Sequence, residues 1–282
     1  MKICSTLAGV KVGDGQPVRL MGVINVSPES FFKGSVYSNE HEITEAAQKM
    51  TVEGADFLDI GAMSTAPYLD TRISEEEETR RLVGAIRLIR KWSPLPISVD
   101  TFRYAPACAA VEAGAVILND VMGLISHPLI HQLTPQLQGL ILMAHPSLKQ
   151  NTALASPVRN TKSILRQSLQ QAVRAGFDKK KIVIDPGIGF FRKTKMDWWK
   201  WDIDILKQLS SFRTLDVPVL VGLSRKSFIG KLLEEKPAAD RLPGSLAATV
   251  AAVMNGASLL RTHDVTATKD AVRMAEIFRQ DD

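Results

Sequence analysis

Eight short apolar runs recur along the chain, and nearly every one ends at a polar side chain or within a few residues of one. The runs are Leu20–Ile24, Phe57–Ile60, Ile97–Val99, Val116–Leu118, Leu140–Met143, Ile182–Ile184, Val219–Val221 and Leu259–Leu260. Longer stretches of helical character separate them, and such an alternation is typical of a parallel sheet built from βα units. Eight units predict an α/β fold, a single closed (β/α)8 barrel of the TIM type.

The polar residues at the ends of these runs are of the kinds that enzymes use. They are Asn25, Asp59, Asp100, Asn119 with Asp120, His145, Asp185, Ser224 with Lys226, and Arg261 with His263. In a (β/α)8 barrel the C-terminal ends of the strands surround one mouth, and active sites of this fold lie there. The pattern therefore predicts a ring of carboxylate, amide and basic groups around one mouth, which indicates an enzyme.

Length and turn signals predict the domain organisation. The 282 residues fit one barrel of about 250 residues. Thr6–Arg19, centred on Gly13-Asp14-Gly15, is predicted to form a β-hairpin, so we expect residues 1–19 to form a hairpin or cap and residues 20–282 the barrel. Helices are expected at Glu42–Gly54, Ser74–Lys91, Ala105–Ala113, Pro128–Leu133, Val158–Ala175, Asp202–Ser211, Ser227–Leu233, Leu242–Asn255 and Lys269–Arg279.

Composition argues against a membrane protein and against a nucleic-acid-binding protein. Hydrophobic residues make up 45% of the chain, enough for a large core, and no apolar run approaches the about 20 residues of a membrane span. The net charge is +5, but the basic residues are scattered among acidic ones, without a nucleic-acid-binding motif. Cys4 and Cys108 lack metal-ligand spacing, which predicts reduced thiols in a cytoplasmic protein.

The sharpest local signal is the segment from Gly222 to Gly230, which reads Gly-Leu-Ser-Arg-Lys-Ser-Phe-Ile-Gly. It follows an apolar strand and opens a helix, so it brings Lys226 and hydroxyl groups to the mouth, where they suit an anion or an electron-rich ring. The alternative is an ordinary surface turn.

Asp185 ends another strand before a Pro-Gly turn. It is predicted either to cap that turn or to accept two parallel N–H bonds from a guanidine-like edge, as in a 2-aminopyrimidinone ring.

Other strand ends carry candidate ligands for phosphate and metal. Arg261 and His263 follow the last strand, and barrels often bind phosphate near strands seven and eight. Asn25 ends the first strand and is predicted to be either a turn residue or a ligand for Mg²⁺ that stays mostly bound to water and phosphate. Met143 ends the fifth strand, where it is either a core filler or a contact for a flat ring.

Taken in order, these motifs resemble the dihydropteroate synthases, a family of pterin-binding barrels, from about Leu20 to the C-terminus. The resemblance rests on Met21–Phe31, Gly54–Gly61, Ile97–Thr101, Asn119–Val121, Asp185–Phe190, Ser224–Gly230 and Arg261–Val265. It implies condensation of 6-hydroxymethyl-7,8-dihydropterin pyrophosphate with p-aminobenzoate, or a related arylamine, to give 7,8-dihydropteroate and pyrophosphate. It also implies Mg²⁺ as cofactor and a cytoplasmic homodimer.

The resemblance implies roles for individual residues. Pterin binding is implied for Asp100, Asn119, Met143, Asp185, Gly222 and Lys226. Pyrophosphate binding is implied for Asn25, Thr65, Arg261 and His263, with Asn25 as the metal ligand. A p-aminobenzoate pocket is implied at Phe31, Phe190 and Ser227. The implied catalytic residues are Lys226, Asp100, Asp185, Arg261 and His263.

The second loop departs most clearly from the family. It reads Gly61-Ala-Met-Ser-Thr65-Ala66-Pro67, whereas the family usually has arginine at the position of Ala66. Arg72 lies further along the same loop and is a candidate to compensate. We therefore expect an intact pterin pocket and an altered arylamine site.

Alternative interpretations remain open. A pterin-dependent methyltransferase acting with a corrinoid protein uses a similar barrel but needs no pyrophosphate site, so Lys226, Arg261 and His263 together favour the synthase. Ala66 favours a pterin-binding paralogue with weak or no synthase activity. A barrel enzyme for sugar phosphates would not explain the ordered motifs. Three tryptophans are expected to anchor the sixth helix, or to form a lid or an oligomer contact: Trp198, Trp199 and Trp201.

Overall fold

The structure is a computed structural model that describes residues 2–27, 37, 39–63, 73–124, 130–147, 156–194 and 196–279. Its strands are β1 (Cys4–Leu7), β2 (Val10–Gly13), β3 (Arg19–Asn25), β4 (Phe57–Gly61), β5 (Ile97–Asp100), β6 (Ile117–Asp120), β7 (Gly139–Met143), β8 (Ile182–Asp185), β9 (Leu220–Gly222) and β10 (Leu259–Thr262). Its helices are α1 (Glu40–Glu53), α2 (Glu75–Ile89), α3 (Tyr104–Ala113), α4 (Pro157–Arg174), α5 (Trp198–Lys207), α6 (Ser227–Leu232), α7 (Leu242–Met254) and α8 (Val265–Phe278).

The eight strands β3 to β10 form one parallel sheet in the order β8-β7-β6-β5-β4-β3-β10-β9. A parallel bridge between Ile184 and Val219 joins its two edges, with the Ile184 N–H donating to the Pro218 carbonyl at 3.0 Å. The predicted (β/α)8 barrel is therefore confirmed. Most strands extend one or two residues beyond the predicted apolar runs, so side chains such as Asp185 and Arg261 lie on the strands themselves.

The N-terminal hairpin closes the bottom of the barrel. Leu7 and Val12 are fully buried in one apolar cluster with inward side chains of seven barrel strands. Those side chains are Met21, Phe57, Ile117, Ile141, Val183, Leu220 and Leu259. The opposite end, where the strands finish, is thereby left as the open mouth. The division of the chain at residue 19 stays a prediction.

The centre of the hairpin differs from the prediction. The two strands turn at Ala8 and Gly9, both of which have positive φ, as tight two-residue hairpin turns require. Gly13 instead pairs with Cys4 across the hairpin, and a Cβ on Gly13 would lie 2.2 Å from the Ile3 carbonyl oxygen. The glycine at this position therefore allows a close backbone contact.

Three helix predictions need correction. The closing helix, α8, begins at Val265, four residues before the predicted start at Lys269. The sixth helix begins at Trp198, four residues before the predicted start, because Trp201 packs into the core and stacks on Phe191 with ring centroids 4.8 Å apart. The helix predicted at Pro128–Leu133 is a single 3₁₀ turn, Ile130–Gln132, in the part that the structure describes. Trp198 and Trp199 also pack against the main core, so the expectation that the tryptophans anchor this helix is confirmed.

A buried polar contact fixes the loop that follows β5. Ser74 caps α2 by accepting the Glu77 N–H at 3.2 Å. Glu78, one turn inside the same helix, is buried and accepts the Thr101 hydroxyl at 2.6 Å and the Arg103 guanidinium at 3.0 Å. These contacts hold the chain immediately after Asp100.

Other expectations concern the cysteines and the membrane. Cys4 and Cys108 are free thiols, both half-buried. None of the described helices combines the length and the apolar character that a membrane span requires.

Candidate active site

A buried charge cluster lies at the open mouth of the barrel. Arg261, on β10, donates from Nε to Asp59 Oδ2 at 2.6 Å and from Nη2 to Asp100 Oδ2 at 2.9 Å. The Asn119 amide donates to the same Asp59 oxygen at 3.0 Å. Four strands that are far apart in sequence thus contribute to one hydrogen-bonded group.

One guanidinium shared by two carboxylates leaves the cluster with an excess of negative charge. Burial raises the pKa of Asp100 to about 7; Arg261 opposes this rise and the Asp59 carboxylate adds to it. Burial lowers the pKa of Arg261, but the carboxylates of Asp59 and Asp100 outweigh it and raise the pKa overall. Arg261 is therefore charged, and Asp100 is able to hold a proton near neutral pH.

Asp185 and Lys226 are near enough for each to alter the pKa of the other. Burial raises the pKa of Asp185, while the Gly187 N–H, which donates to its Oδ1 at 2.7 Å, and the charge of Lys226 oppose the rise. Burial lowers the pKa of Lys226 to about 8, and the Asp185 carboxylate opposes that fall. Asp185 thus both caps its turn and presents a carboxylate at the mouth, so the two alternatives from the sequence are compatible.

A small apolar cluster lies beside these charges. Val121, Met143 and Phe190 are buried together, and they form a cluster separate from the main core. The Lys226 ammonium lies 4.8 Å from the centre of the Phe190 ring. Flat apolar surface next to hydrogen-bonding groups is the usual lining of a site for a small aromatic ligand.

The loop after β9 owes its shape to Arg225. This residue has φ +55°, and its guanidinium pairs with both oxygens of Asp264 at 3.0 and 2.9 Å. The preceding Ser224 hydroxyl lies 2.9 Å from His263 Nδ1. Arg225 therefore ties the end of β9 to the end of β10, and Lys226, the next residue, is the N-cap of α6 at the mouth.

The His263 imidazole lies in a buried, positively charged environment. Burial lowers its pKa to about 3, and the positive charge of Arg261 adds to the effect. It therefore offers a neutral ring N–H to an anion at ordinary pH, and the charge of the pair resides on Arg261.

Asn25 reaches the same mouth from β3. A Cβ placed on Gly61 would lie 3.4 Å from Asn25 Oδ1 and 3.9 Å from Asp100 Oδ2, so the glycine leaves room where these two oxygens face one strand end. No group of three or more His, Cys, Asp or Glu side chains able to hold a metal occurs among the residues that the structure describes.

The remaining site predictions fall into two groups. Gly222 ends β9 near Arg261, since a Cβ on Gly222 would lie 3.8 Å from the Cβ of Arg261. Ser227 begins α6 and its hydroxyl accepts an N–H from the Arg192 guanidinium. Four residues with predicted or suggested roles lie outside the described residues: Phe31, Thr65, Ala66 and Arg72.

Asp59 and Asp120 are among the predicted strand-end residues without a specific role, and Asp202 and Arg192 are not among them. Asp59 interrupts an apolar strand with a carboxylate, which was a usable signal. Asp120 has a structural role, because its carboxylate accepts the N–H groups of Met122 and Leu124 at 2.7 and 2.8 Å. Asp202 and Arg192 lie in or before α5 and carried no local signal.

The arrangement suits a reaction that separates charge in a flat heterocycle. Carboxylates can accept ring N–H groups, the apolar cluster can contact a ring face, and Arg261 can stabilise a departing anion. The Ser224 hydroxyl, which lies close to His263, also approaches Asp264 Oδ2 at 3.5 Å, and that carboxylate is paired with Arg225.

Known proteins resemble this chain over nearly its whole length. A family model described as pterin binding enzyme matches residues 21–263. The dihydropteroate synthase of Bacillus subtilis (strain 168) is 36% identical over 261 residues, covering 92% of this chain and 87% of that protein. The solved dihydropteroate synthase of Coxiella burnetii, in complex with pteroic acid, gives a TM-score of 0.87 at 35% identity, covering 99% of this chain and 100% of that chain. The Xanthomonas albilineans dihydropteroate synthase with 4-aminobenzoic acid gives a TM-score of 0.86 at 34% identity, covering 100% of both chains.

Asp202 makes the stability of the protein depend on pH. Its Oδ1 accepts the Gly189 N–H at 2.8 Å, and Oδ2 has no hydrogen-bond partner within the described residues. Burial raises the pKa of Asp202 to about 6, against the opposing effect of that N–H and of Lys226. Because the folded pKa exceeds the ordinary value, its contribution to stability is complete below about pH 4 and is lost as the pH rises through 6.

We compare the free energy of unfolding of Asp202→Asn with that of the parent protein. The difference should shift in favour of the variant by about 2–3 kcal/mol when the pH rises from 4 to 8. Urea denaturation of both proteins at the two pH values measures this difference. Asp197→Asn, which changes an exposed carboxylate just before the same helix, is the control and should change the difference by less than about 0.5 kcal/mol. A parallel pH dependence of Asp202→Asn and the parent would contradict the prediction.

Proposed function

Because the chain belongs to the family of pterin-binding enzymes, we propose that it condenses 6-hydroxymethyl-7,8-dihydropterin pyrophosphate with p-aminobenzoate. The products are 7,8-dihydropteroate and pyrophosphate. The observation that carries the proposal is the similarity over the whole chain to dihydropteroate synthases, one of them solved with 4-aminobenzoic acid. The polar mouth beside an apolar cluster supports it, because the pterin is a flat ring with a guanidine-like edge.

The pterin is held, in this proposal, by the strand-end residues of the mouth. The Asp185 carboxylate accepts N–H groups from the 2-amino edge, and the Asn119 amide and Asp100 serve the rest of the ring. Lys226 lies along the ring from the β9 side, where Gly222 leaves space, and Met143 contacts the ring face. Together these contacts fix the pterin so that its exocyclic methylene faces Arg261.

Mg²⁺ fits the donor set at the mouth. Asn25 offers an uncharged oxygen there, and Mg²⁺ usually keeps several waters and binds substrate phosphates with few protein ligands. We assign Asn25 as its protein ligand. When bound, Mg²⁺ supplies charge neutralisation for the pyrophosphate.

The chain's own residues then stabilise the separation of charge. The bond between the methylene carbon and the pyrophosphate oxygen breaks, and its electron pair leaves with pyrophosphate. Arg261 supplies a positive charge and His263 a neutral N–H to the leaving group, with Thr65 as a further proposed contact. The Asp185 carboxylate stabilises the cation left on the pterin. The arylamine nitrogen donates its lone pair to the methylene carbon and then releases one proton.

The arylamine binds next to the leaving-group side of the pterin. Phe190 provides an apolar wall and Ser227 a hydroxyl at the start of α6, and we keep Phe31 as a proposed third member of the pocket. For such a bimolecular step the protein contributes mainly by positioning the amine. We also propose a homodimer, because α8 exposes Met274, Ile277 and Phe278, apolar side chains that a second copy would cover. The cytoplasmic location stays a proposal that rests on the family resemblance.

The direct test of this function is product formation. Purified protein, Mg²⁺, dihydropterin pyrophosphate and p-aminobenzoate should yield 7,8-dihydropteroate, identified by its mass, and the gene should restore growth of a synthase-deficient strain. Absence of product together with failure to restore growth would remove the synthase and favour a pterin-binding paralogue or a methyl-transfer enzyme.

Asp185→Asn should weaken pterin binding by about 30- to 100-fold, which corresponds to about 2–3 kcal/mol for a lost charge-assisted bond. The amide keeps one acceptor for the Gly187 N–H but cannot accept two ring N–H groups. Calorimetric titration with 6-hydroxymethylpterin measures the change. Asp216→Asn, which alters an exposed carboxylate with a left-handed backbone that asparagine tolerates, is the matched control. Equal affinity of parent and Asp185→Asn would leave Asp185 with a structural role only.

Pyrophosphate and Mg²⁺ should bind together at Arg261, His263 and Asn25, because β10 and β3 are adjacent in the sheet. The melting temperature should rise more with both ligands than the sum of the two separate shifts. Arg261→Ala should abolish the joint shift, whereas Arg213→Ala, at the bottom of the barrel, should retain it. A full joint shift in Arg261→Ala would rule out this assignment.

A further inference from the structure

Arg192 is held rigidly beside the proposed arylamine pocket. Its Nε donates to the Gly189 carbonyl at 2.9 Å, and its Nη2 donates to the Ser227 hydroxyl. The guanidinium carbon lies 3.6 Å from the centre of the Trp198 ring, so the planar cation stacks on that indole. Three elements of the chain therefore fix one positive charge: the turn after β8, the start of α5 and the start of α6.

The tryptophan makes this position specific for arginine. Trp198 is itself packed against the main core, and a guanidinium stacks on an aromatic face while still donating hydrogen bonds in its plane. Lysine has a compact ammonium and cannot form both the stack and the two in-plane bonds. The Arg192 guanidinium is therefore held in one position before a ligand binds, so that binding costs little side-chain entropy.

The contact with Ser227 determines which way the serine hydroxyl can donate. Because the Ser227 oxygen accepts an N–H from Arg192, the serine proton is directed away from the guanidinium. Phe190 lies two residues before Arg192, and Lys226 precedes Ser227. The positive charge of Arg192 also contributes to lowering the pKa of Lys226, the residue before Ser227.

We propose that Arg192, whose guanidinium donates to the Ser227 hydroxyl and lies next to it, selects arylamines that carry a carboxylate. The carboxylate accepts the Ser227 O–H, and the fixed guanidinium supplies the positive charge that compensates for its desolvation. Arg192 is thus a specificity-determining residue, and Trp198 is the residue that positions it. This inference rests on the proposed synthase function and names the residue that recognises the acid group of its second substrate.

The test compares p-aminobenzoate with 4-aminobenzamide, a neutral arylamine of nearly the same shape. Arg192→Gln should raise KM for p-aminobenzoate by about 10- to 100-fold, the effect of losing a charged hydrogen-bond partner. KM for 4-aminobenzamide should change less than about threefold, because the amide carries no charge to compensate. Arg192→Lys should fall between Arg192→Gln and the parent protein. Trp198→Leu should reduce the preference for the acid in the same direction.

Lys193→Gln is the matched control, since it removes a positive charge from the adjacent, exposed residue. It should leave both KM values unchanged. Equal increases in KM for the acid and the amide in Arg192→Gln, or no increase for either, would overturn the proposal in favour of a purely structural clamp. Unchanged affinity for 6-hydroxymethylpterin establishes that the variant still folds around the pterin site.

If the parent protein forms no dihydropteroate, the proposed function fails but the inference is still decided by binding. Calorimetric titration of p-aminobenzoate into protein saturated with 6-hydroxymethylpterin and pyrophosphate then replaces KM. Weaker binding to Arg192→Gln than to Lys193→Gln supports carboxylate recognition by Arg192, and equal binding overturns it.

Discussion

The ion-pair cluster of Arg261 with Asp59 and Asp100 is the constraint on which the mouth of the barrel depends. The side chains come from β10, β4 and β5, and the Asp59 carboxylate also accepts the Asn119 amide from β6. Buried charges are costly unless they are paired, and removing one partner leaves the others uncompensated. The cluster therefore requires these four strand ends to keep their register, and the same register brings the proposed substrate ligands together.

The fold was predictable because the pattern that specifies it is local and repeated. Each barrel strand is short and apolar and finishes near a polar residue, so the sequence alone is enough to locate the strands β3 to β10. Errors arose where a local signal had a different cause. Gly13 indicated a turn, but this glycine allows a close contact with Ile3. The predicted start of α5 was too late because the tryptophans before Asp202 are aromatic residues, which are weak helix formers.

The site was only partly predictable, because the sequence shows which residues end strands but not which pairs they form. Arg261 was expected to face phosphate, yet its partners in the unliganded protein are Asp59 and Asp100, which lie 202 and 161 residues away in sequence. Nothing local indicated that Arg192 would stack on Trp198. Such contacts depend on how strands and loops come together, and periodicity carries no information about that.

The charge balance of the mouth also limits how it can bind an anion. Asp59 and Asp100 share one guanidinium, so an anion that binds Arg261 adds negative charge to a group in which two buried carboxylates already face one cation. Two routes relieve this: the ligand brings its own cation, or a carboxylate takes up a proton. Asp100 is suited to the second route, since its pKa is raised to about 7. Asn25, a neutral oxygen ligand facing the same strand end, is suited to the first. The electrostatics of the mouth therefore favour anion binding at Arg261 together with a cation or a proton.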